Sequence, residues 1–262
     1  MPGNEQKIAK YLIQNKGKIS LRHLGIISSI GVPGLLKDQY EEMKSLEDVD
    51  RCLATEDSGK KADIYVNGHG MSLKQMGATF PYNRLQRANL LEIFNLLGFK
   101  NPDSILERLD KEVEKFHRGK LDRRNRAWSD FFTEIEFKAL TKFLMMEGSP
   151  NLGVSLHPAE FILEAPARNI TAESIGVYIF DEYFNKYISK LKVAIRRQWV
   201  GQASESEHKR ARGLARKTGN APWVFNDVAG MPNIHRSGRR WRQEVPPDRR
   251  KTVYFLMLEK ER

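Results

Sequence analysis

Asp63, Tyr65, Ser72 and Lys74 fall within one short stretch, KADIYVNGHGMSLKQ at residues 61–75. Asn67-Gly68-His69-Gly70 at its centre is turn chemistry, because Asn and Gly tolerate the positive φ values that tight hairpins demand. With Val66 and Met71 flanking that loop, antiparallel pairing sets Tyr65 opposite Ser72 and Asp63 opposite Lys74. Side chains alternate along a strand, so Asp63, Tyr65, Ser72 and Lys74 share one face and the apolar Ile64, Val66, Met71 and Leu73 share the other. A carboxylate beside a lysine on a sheet suits phosphodiester hydrolysis. The carboxylate can bind a divalent metal that polarises a phosphate and acidifies a water, and the ammonium can orient that water and offset developing charge. Gln75 points to the opposite face and His69 reads as a turn residue. As a bare surface ion pair, the same two charges contribute only about 0.2–1 kcal/mol.

The elements that must position this hairpin are read from periodicity. Residues 5–13 suit a short amphipathic helix, residues 21–30 another, and Gly31-Val32-Pro33-Gly34 a break. Leu36, Tyr40 and Met43 predict a helix over residues 35–46. Residues 49–54 read as a strand and residues 55–59 as a polar turn. Beyond the bend at residues 77–81, a helix is expected over residues 83–97, ended by Gly98. Further helices are expected at residues 103–118 and 129–146, separated by the basic stretch 120–126 and closed by Gly148-Ser149-Pro150. Residues 175–180, 191–199 and 252–258 read as strands, with residues 181–188 helical between the first two. The fold class is therefore α/β, a mixed sheet with an antiparallel meander flanked by helices, plus a basic C-terminal region.

Helix, three-stranded meander, helix, with Asp63 and Lys74 on the second and third strands, resembles the PD-(D/E)XK nuclease superfamily. That superfamily includes most type II restriction endonucleases, and the resemblance covers about residues 35–97. It implies a restriction-endonuclease-like core in which Asp63 binds metal and Lys74 is the catalytic lysine. Two positions depart from the pattern: Ala62 precedes Asp63 where proline is usual, and Ser72 stands where the second acid would. Some restriction endonucleases carry Ser there and recruit a Glu from the following helix. Glu92, in the apolar setting Leu90-Leu91-Glu92-Ile93-Phe94, is that candidate, and Glu41 or Glu42 on the preceding helix is the runner-up. The cofactor implied is Mg²⁺, one or two ions per active site, and the assembly implied is a homodimer.

Charge points to the substrate. Residues 190–262 hold 18 Lys/Arg against 7 Asp/Glu, which accounts for the whole net charge of +11 and leaves residues 1–189 neutral. Clustered cations of this kind favour a phosphate backbone through counterion release. Arg196 and Arg197 end a strand; Ser204-Glu205-Ser206-Glu207 opens a helix carrying Lys209, Arg210 and Arg216. Residues 233–242 hold Asn233, His235, Arg236, Arg239, Arg240 and Arg242, side chains able to grip base edges or phosphates. Trp199, Trp223 and Trp241 read as structural anchors more readily than as stacking platforms. Two regions are thus expected, a core at residues 1–189 with helical insertions and a recognition region at residues 190–262 packed on the same domain.

The single cysteine, Cys52, excludes an internal disulfide, and no apolar run is long enough for a membrane span or a secretory signal. A cytoplasmic protein of a prokaryotic cell, free of membranes, is the expectation. The function expected is a sequence-specific, Mg²⁺-dependent endonuclease of double-stranded DNA, acting as a restriction enzyme. A non-catalytic DNA- or RNA-binding protein and a structure-specific repair nuclease are the alternatives.

Overall fold

Alternating apolar residues at positions 64–73 put the hairpin at the middle of a sheet, where one face is buried in a helical layer. The computed structural model describes residues 4–37, 39–53, 60–77, 81–117, 125–148, 153–199 and 252–260. In chain order the first elements are α1 (Asn4–Gln14), β1 (Ser20–Leu21), β2 (Gly25–Ile26), β3 (Ile30–Pro33), β4 (Tyr40–Glu42), α2 (Leu46–Cys52), β5 (Ile64–Val66) and β6 (His69–Gln75). Then follow β7 (Pro81–Gln86), α3 (Arg87–Leu96), α4 (Pro102–His117), β8 (Asn125–Ala127), α5 (Glu134–Lys142), β9 (Phe161–Ala165), β10 (Gly176–Tyr178), α6 (Phe180–Tyr187), β11 (Leu191–Trp199) and β12 (Thr252–Lys260). The chain is α/β.

The described residues of 1–80 and 141–190 form one unit, and those of 81–140 and 191–261 form a second. The first unit is built on a mixed six-stranded sheet of order β10-β9-β6-β5-β3-β4. All its pairs are antiparallel except β6 with β9, which run parallel. Ile64, Val66, Met71, Leu73, Leu163, Ala165 and Val177 share one face, and on it lie Ile8, Ala9 and Leu12 of α1 and Val49 of α2. α6 packs on β9 and β10, sending Lys186 and Tyr187 to the opposite face. The second unit has an antiparallel sheet of order β7-β12-β11-β8, with α3, α4 and α5. Its core is rich in phenylalanine: Phe94 stacks on Phe99 with ring centroids 5.2 Å apart, and Phe132 meets both edge-on.

Several expected elements take another form. Residues 21–30 are not a helix but the small β1–β2 hairpin leading into β3, because His23 and Gly25 both adopt positive φ, at 66° and 68°. The expected break at residues 31–34 is mostly strand β3, with Pro33 at its end. Within the helix expected at residues 35–46, Tyr40–Glu42 is instead strand β4, antiparallel to β3, with Gly34 N–H donating to the Gln39 carbonyl at 2.8 Å. Helix begins only at Leu46, where Ser45 and Asp48 cap one another, so residues 49–52 are helical rather than extended. The first strand of the meander is therefore β3. β7 occupies residues 81–86, and α3 starts correspondingly later than expected. Gly98, at φ +71°, ends that helix as anticipated. Residues 129–146 hold a 3₁₀ turn, α5 and a π-helical turn at Phe143–Glu147. β9 was not anticipated at all.

Candidate active site

The hairpin closes tighter than its glycines suggest. Asn67 and Gly68 both have positive φ, 52° and 85°, and form a two-residue turn with Val66 paired to His69. The Asn67 side chain locks that geometry. Its Oδ1 accepts from Ser28 N–H at 2.8 Å and Ser29 N–H at 3.1 Å, and its Nδ2 donates to the carbonyls of Leu24 and Ile26 at 3.0 and 2.8 Å. The pairing consequently shifts by two residues from the expected one: Tyr65 faces Gly70, and continuing the register sets Asp63 opposite Ser72 rather than Lys74. A shift of two preserves parity, so the division into a polar and an apolar face stands. His69 and Gly70 belong to β6, where His69 Nδ1 lies 2.9 Å from Glu160 Oε2.

Asp63 and Lys74 are brought together. The Asp63 backbone N–H donates to the Met71 carbonyl at 2.8 Å, and its carboxylate accepts the Leu73 N–H at 2.6 Å. Burial pushes the carboxyl upward from its ordinary range, while the Lys74 ammonium, the Leu73 N–H and Lys61 pull the other way. Ser72, buried across the strand pair, brings a hydroxyl where an acid was sought.

Lys61 is the second cation here. It is only 6% exposed, and burial together with Lys74 pushes it down to about 8, opposed by Asp63. The His157 carbonyl holds its backbone by accepting the N–H groups of both Lys61 and Ala62, at 3.0 and 2.9 Å. This segment approaches β6 closely: a Cβ on Gly70 would stand 2.6 Å from the Pro158 carbonyl oxygen, so only glycine fits. Tyr65 extends the polar face, its hydroxyl 2.9 Å from His157 Nδ1 and its ring stacked on Tyr40.

Parallel pairing with β9 adds a fully buried acid, because Glu164 registers with Lys74. Its Oε2 accepts the Tyr187 hydroxyl at 2.6 Å and the Lys186 ammonium at 3.3 Å. Partial burial works against the Lys186 ammonium, but its hydrogen bond to Tyr178 and the Tyr187–Glu164 pair hold it above lysine's ordinary range. Burial and the Glu164 carboxylate in turn push the Tyr187 hydroxyl up to about 12.

The other proposed acids are on other elements. Glu92 is an exposed residue of α3 and belongs to the second unit. Glu41 and Glu42 are exposed on the edge strand β4, not on a helix, and Glu42 pairs with Lys16 at 2.7 Å. Arg196 and Arg197 lie on β11 opposite Phe255 and Tyr254, with only their backbone described. Lys209, Arg210, Arg216, Asn233, His235, Arg236, Arg239, Arg240 and Arg242 fall outside the described residues, as do Trp223 and Trp241.

Sequence reasoning missed Glu164 and Lys61. A lone acid within the apolar run Phe161–Ala165 was a usable signal for the first. No local signal marks the second: Lys60 and Lys61 read alike as solvated lysines, yet Lys60 reaches the Pro33 carbonyl at 3.1 Å while Lys61 is buried.

Among the described residues no group of three His, Cys, Asp or Glu side chains could hold a metal ion. Mg²⁺, however, keeps several waters and takes one or two carboxylates together with substrate phosphates. The Asp63 carboxylate is the group that would hold Mg²⁺ in that mode. No protein-family model matches the chain, and no curated protein or solved structure does. Among the described residues no helix is long and apolar enough to cross a membrane.

Proposed function

We propose that this protein is a sequence-specific endonuclease of double-stranded DNA, hydrolysing phosphodiester bonds with Mg²⁺ in the manner of type II restriction enzymes. One observation carries the reading: Asp63 and Lys74 stand on the same face of the β5–β6 pair, turned away from the apolar core. The order of strands around them supports it, an antiparallel run β3-β5-β6 followed by the parallel neighbour β9, as a restriction-endonuclease-like core would have.

In this reading Asp63 would hold the metal. The bound metal supplies Lewis-acid polarisation of the phosphate and a more acidic water. The chain's own part is positional. The Leu73 N–H fixes one carboxylate oxygen of Asp63, which would hold the metal, and Lys74 would orient the attacking water and offset charge on the phosphoryl oxygens. The basic residues beyond position 190 grip the duplex, and a homodimer reads a two-fold site.

Digestion of phage DNA with and without Mg²⁺ tests this directly. Discrete bands only with the metal are expected, and Asp63→Ala and Lys74→Ala should each abolish them while duplex binding persists. Intact DNA under every divalent metal tried, with salt-sensitive binding retained, would establish the second reading, nucleic-acid binding without cleavage. Ser72, buried where a second acid would stand, is the observation that favours that alternative.

A further inference from the structure

We propose that a second copy of this chain docks on the β4 edge of the first unit, with the turn leading into β4 as its apolar centre. The inference rests on the endonuclease reading for the homodimer and adds the face that pairs, which neither the motif nor the resemblance supplies.

Three observations carry it. First, large apolar side chains stand in water there. Leu35 is 90% exposed and Leu36 62% on the turn between β3 and β4, and Tyr40 is 40% exposed on β4 itself. Apolar surface gathered in this way on a folded chain marks a contact face. Second, the same surface holds a hollow. Gly34, Leu35, Leu36, Gln39, Tyr40 and Glu41 line an open depression of about 430 Å³. A protruding leucine beside a depression suits a two-fold contact, because each copy offers its leucine to the hollow of the other.

Third, the charges fit a second copy. β4 ends the six-stranded sheet among the described residues, and all three of its residues are exposed. A two-fold centred on Glu41 would set like charges together. One centred on Gln39 instead sets the exposed Lys37 of each copy against Glu41 of the other. Glu42 is taken by Lys16, at 2.7 Å. Glu41 at the middle of this edge also disfavours a phosphate backbone as the occupant. So few residues make a small contact, and a dissociation constant on the order of 10 µM is expected.

The test is sedimentation velocity of the full chain, without DNA or metal, from about 1 to 200 µM. The wild type is expected to pass from monomer to dimer across that range. Leu35→Asp should weaken the dimer roughly 10-fold or more. Lys37→Glu and Glu41→Lys should each be monomeric alone, since each sets like charges together twice. An equimolar mixture of the two should recover a dimer holding one copy of each. All three positions are exposed, and thermal melts check that each variant folds. A wild type that stays monomeric throughout overturns the proposal, and so does a mixture that stays monomeric while the wild type dimerises. Leu35→Asp protein that dimerises like the wild type but binds duplex less tightly overturns it too, and assigns the turn to nucleic acid. A dimer that cuts no DNA under any divalent metal removes the endonuclease reading and keeps this face; cleavage by a strictly monomeric chain does the opposite.

Discussion

Asp63 and Glu164 stand on the polar face of the central sheet, and they are treated in opposite ways. Glu164 is fully buried and satisfied locally by the Tyr187 hydroxyl and the Lys186 ammonium, both from the helix packed above it. Asp63 receives one backbone N–H, feels two lysines through space, and has its carboxyl pushed up by burial. Burial alone therefore does not mark a reactive acid. The useful distinction is between a buried acid bonded by neighbouring side chains and one held through a backbone N–H.

Substitution at each acid gives the sharpest way to break that contrast. Asp63→Asn should reduce cleavage by roughly 10³-fold while leaving the fold intact. Glu164→Ala should do the reverse, costing about 2–4 kcal/mol of stability through the orphaned Tyr187 hydroxyl and the lost Lys186 pair. Cleavage per folded molecule should then stay near wild type. Thermal melts paired with plasmid assays decide it; an active Asp63→Asn, or an inactive but fully stable Glu164→Ala, would reverse the roles assigned here.

Lys61 sharpens the contrast from the cation side. Its folded pKa lies below its unfolded value of 10.5, so between pH 8 and 10.5 the unfolded chain binds the extra proton and stability rises with pH. In EDTA the wild type should gain up to about 3 kcal/mol across that window, whereas Lys61→Met should lack the gain and be the more stable protein at pH 7. Chemical denaturation at several pH values reports it, and parallel pH profiles for the two proteins would contradict the burial of this charge.

Asn67→Ala should cost about 2 kcal/mol, since it places Ala at positive φ and strips hydrogen bonds from the 24–29 loop. If the hairpin register matters to chemistry, activity should fall further than the loss of folded protein explains. The smallest effect is expected at Glu182, exposed enough that only direction is meaningful. Partial burial would raise its carboxyl, but His23, the Ile179 N–H and Arg22 together hold it below the ordinary range. Its contribution is present above the unfolded pKa and disappears as pH falls through the folded one, so Glu182→Gln should differ from wild type at pH 6 and converge with it in acid.

Much of this site was legible locally. Strict alternation in residues 63–74 identifies the polar and apolar faces, and that division survives a register that moved by two. Helical spacing and caps also mark α1, α4, α6 and the end of α3, because each is specified within a turn or two of chain. Elsewhere local signals misled. Leu36, Tyr40 and Met43 have helical spacing, yet the edge of a sheet claimed Tyr40, and its ring stacks on Tyr65 at 4.9 Å. The Ser45–Asp48 capping box was a readable start signal that the strand assignment at residues 49–54 overlooked.

The sequence by itself determined which side chains share a face with Asp63, since that depends only on the period of an extended chain. Only the tertiary structure decided who stands next to them. The turn locked by Asn67 set the register, β9 laid Glu164 against Lys74, and the His157 carbonyl fixed the backbone at Lys61. Each depends on pairing between segments far apart in the chain, where hydrogen-bond geometry and close packing choose among partners that no local pattern can rank.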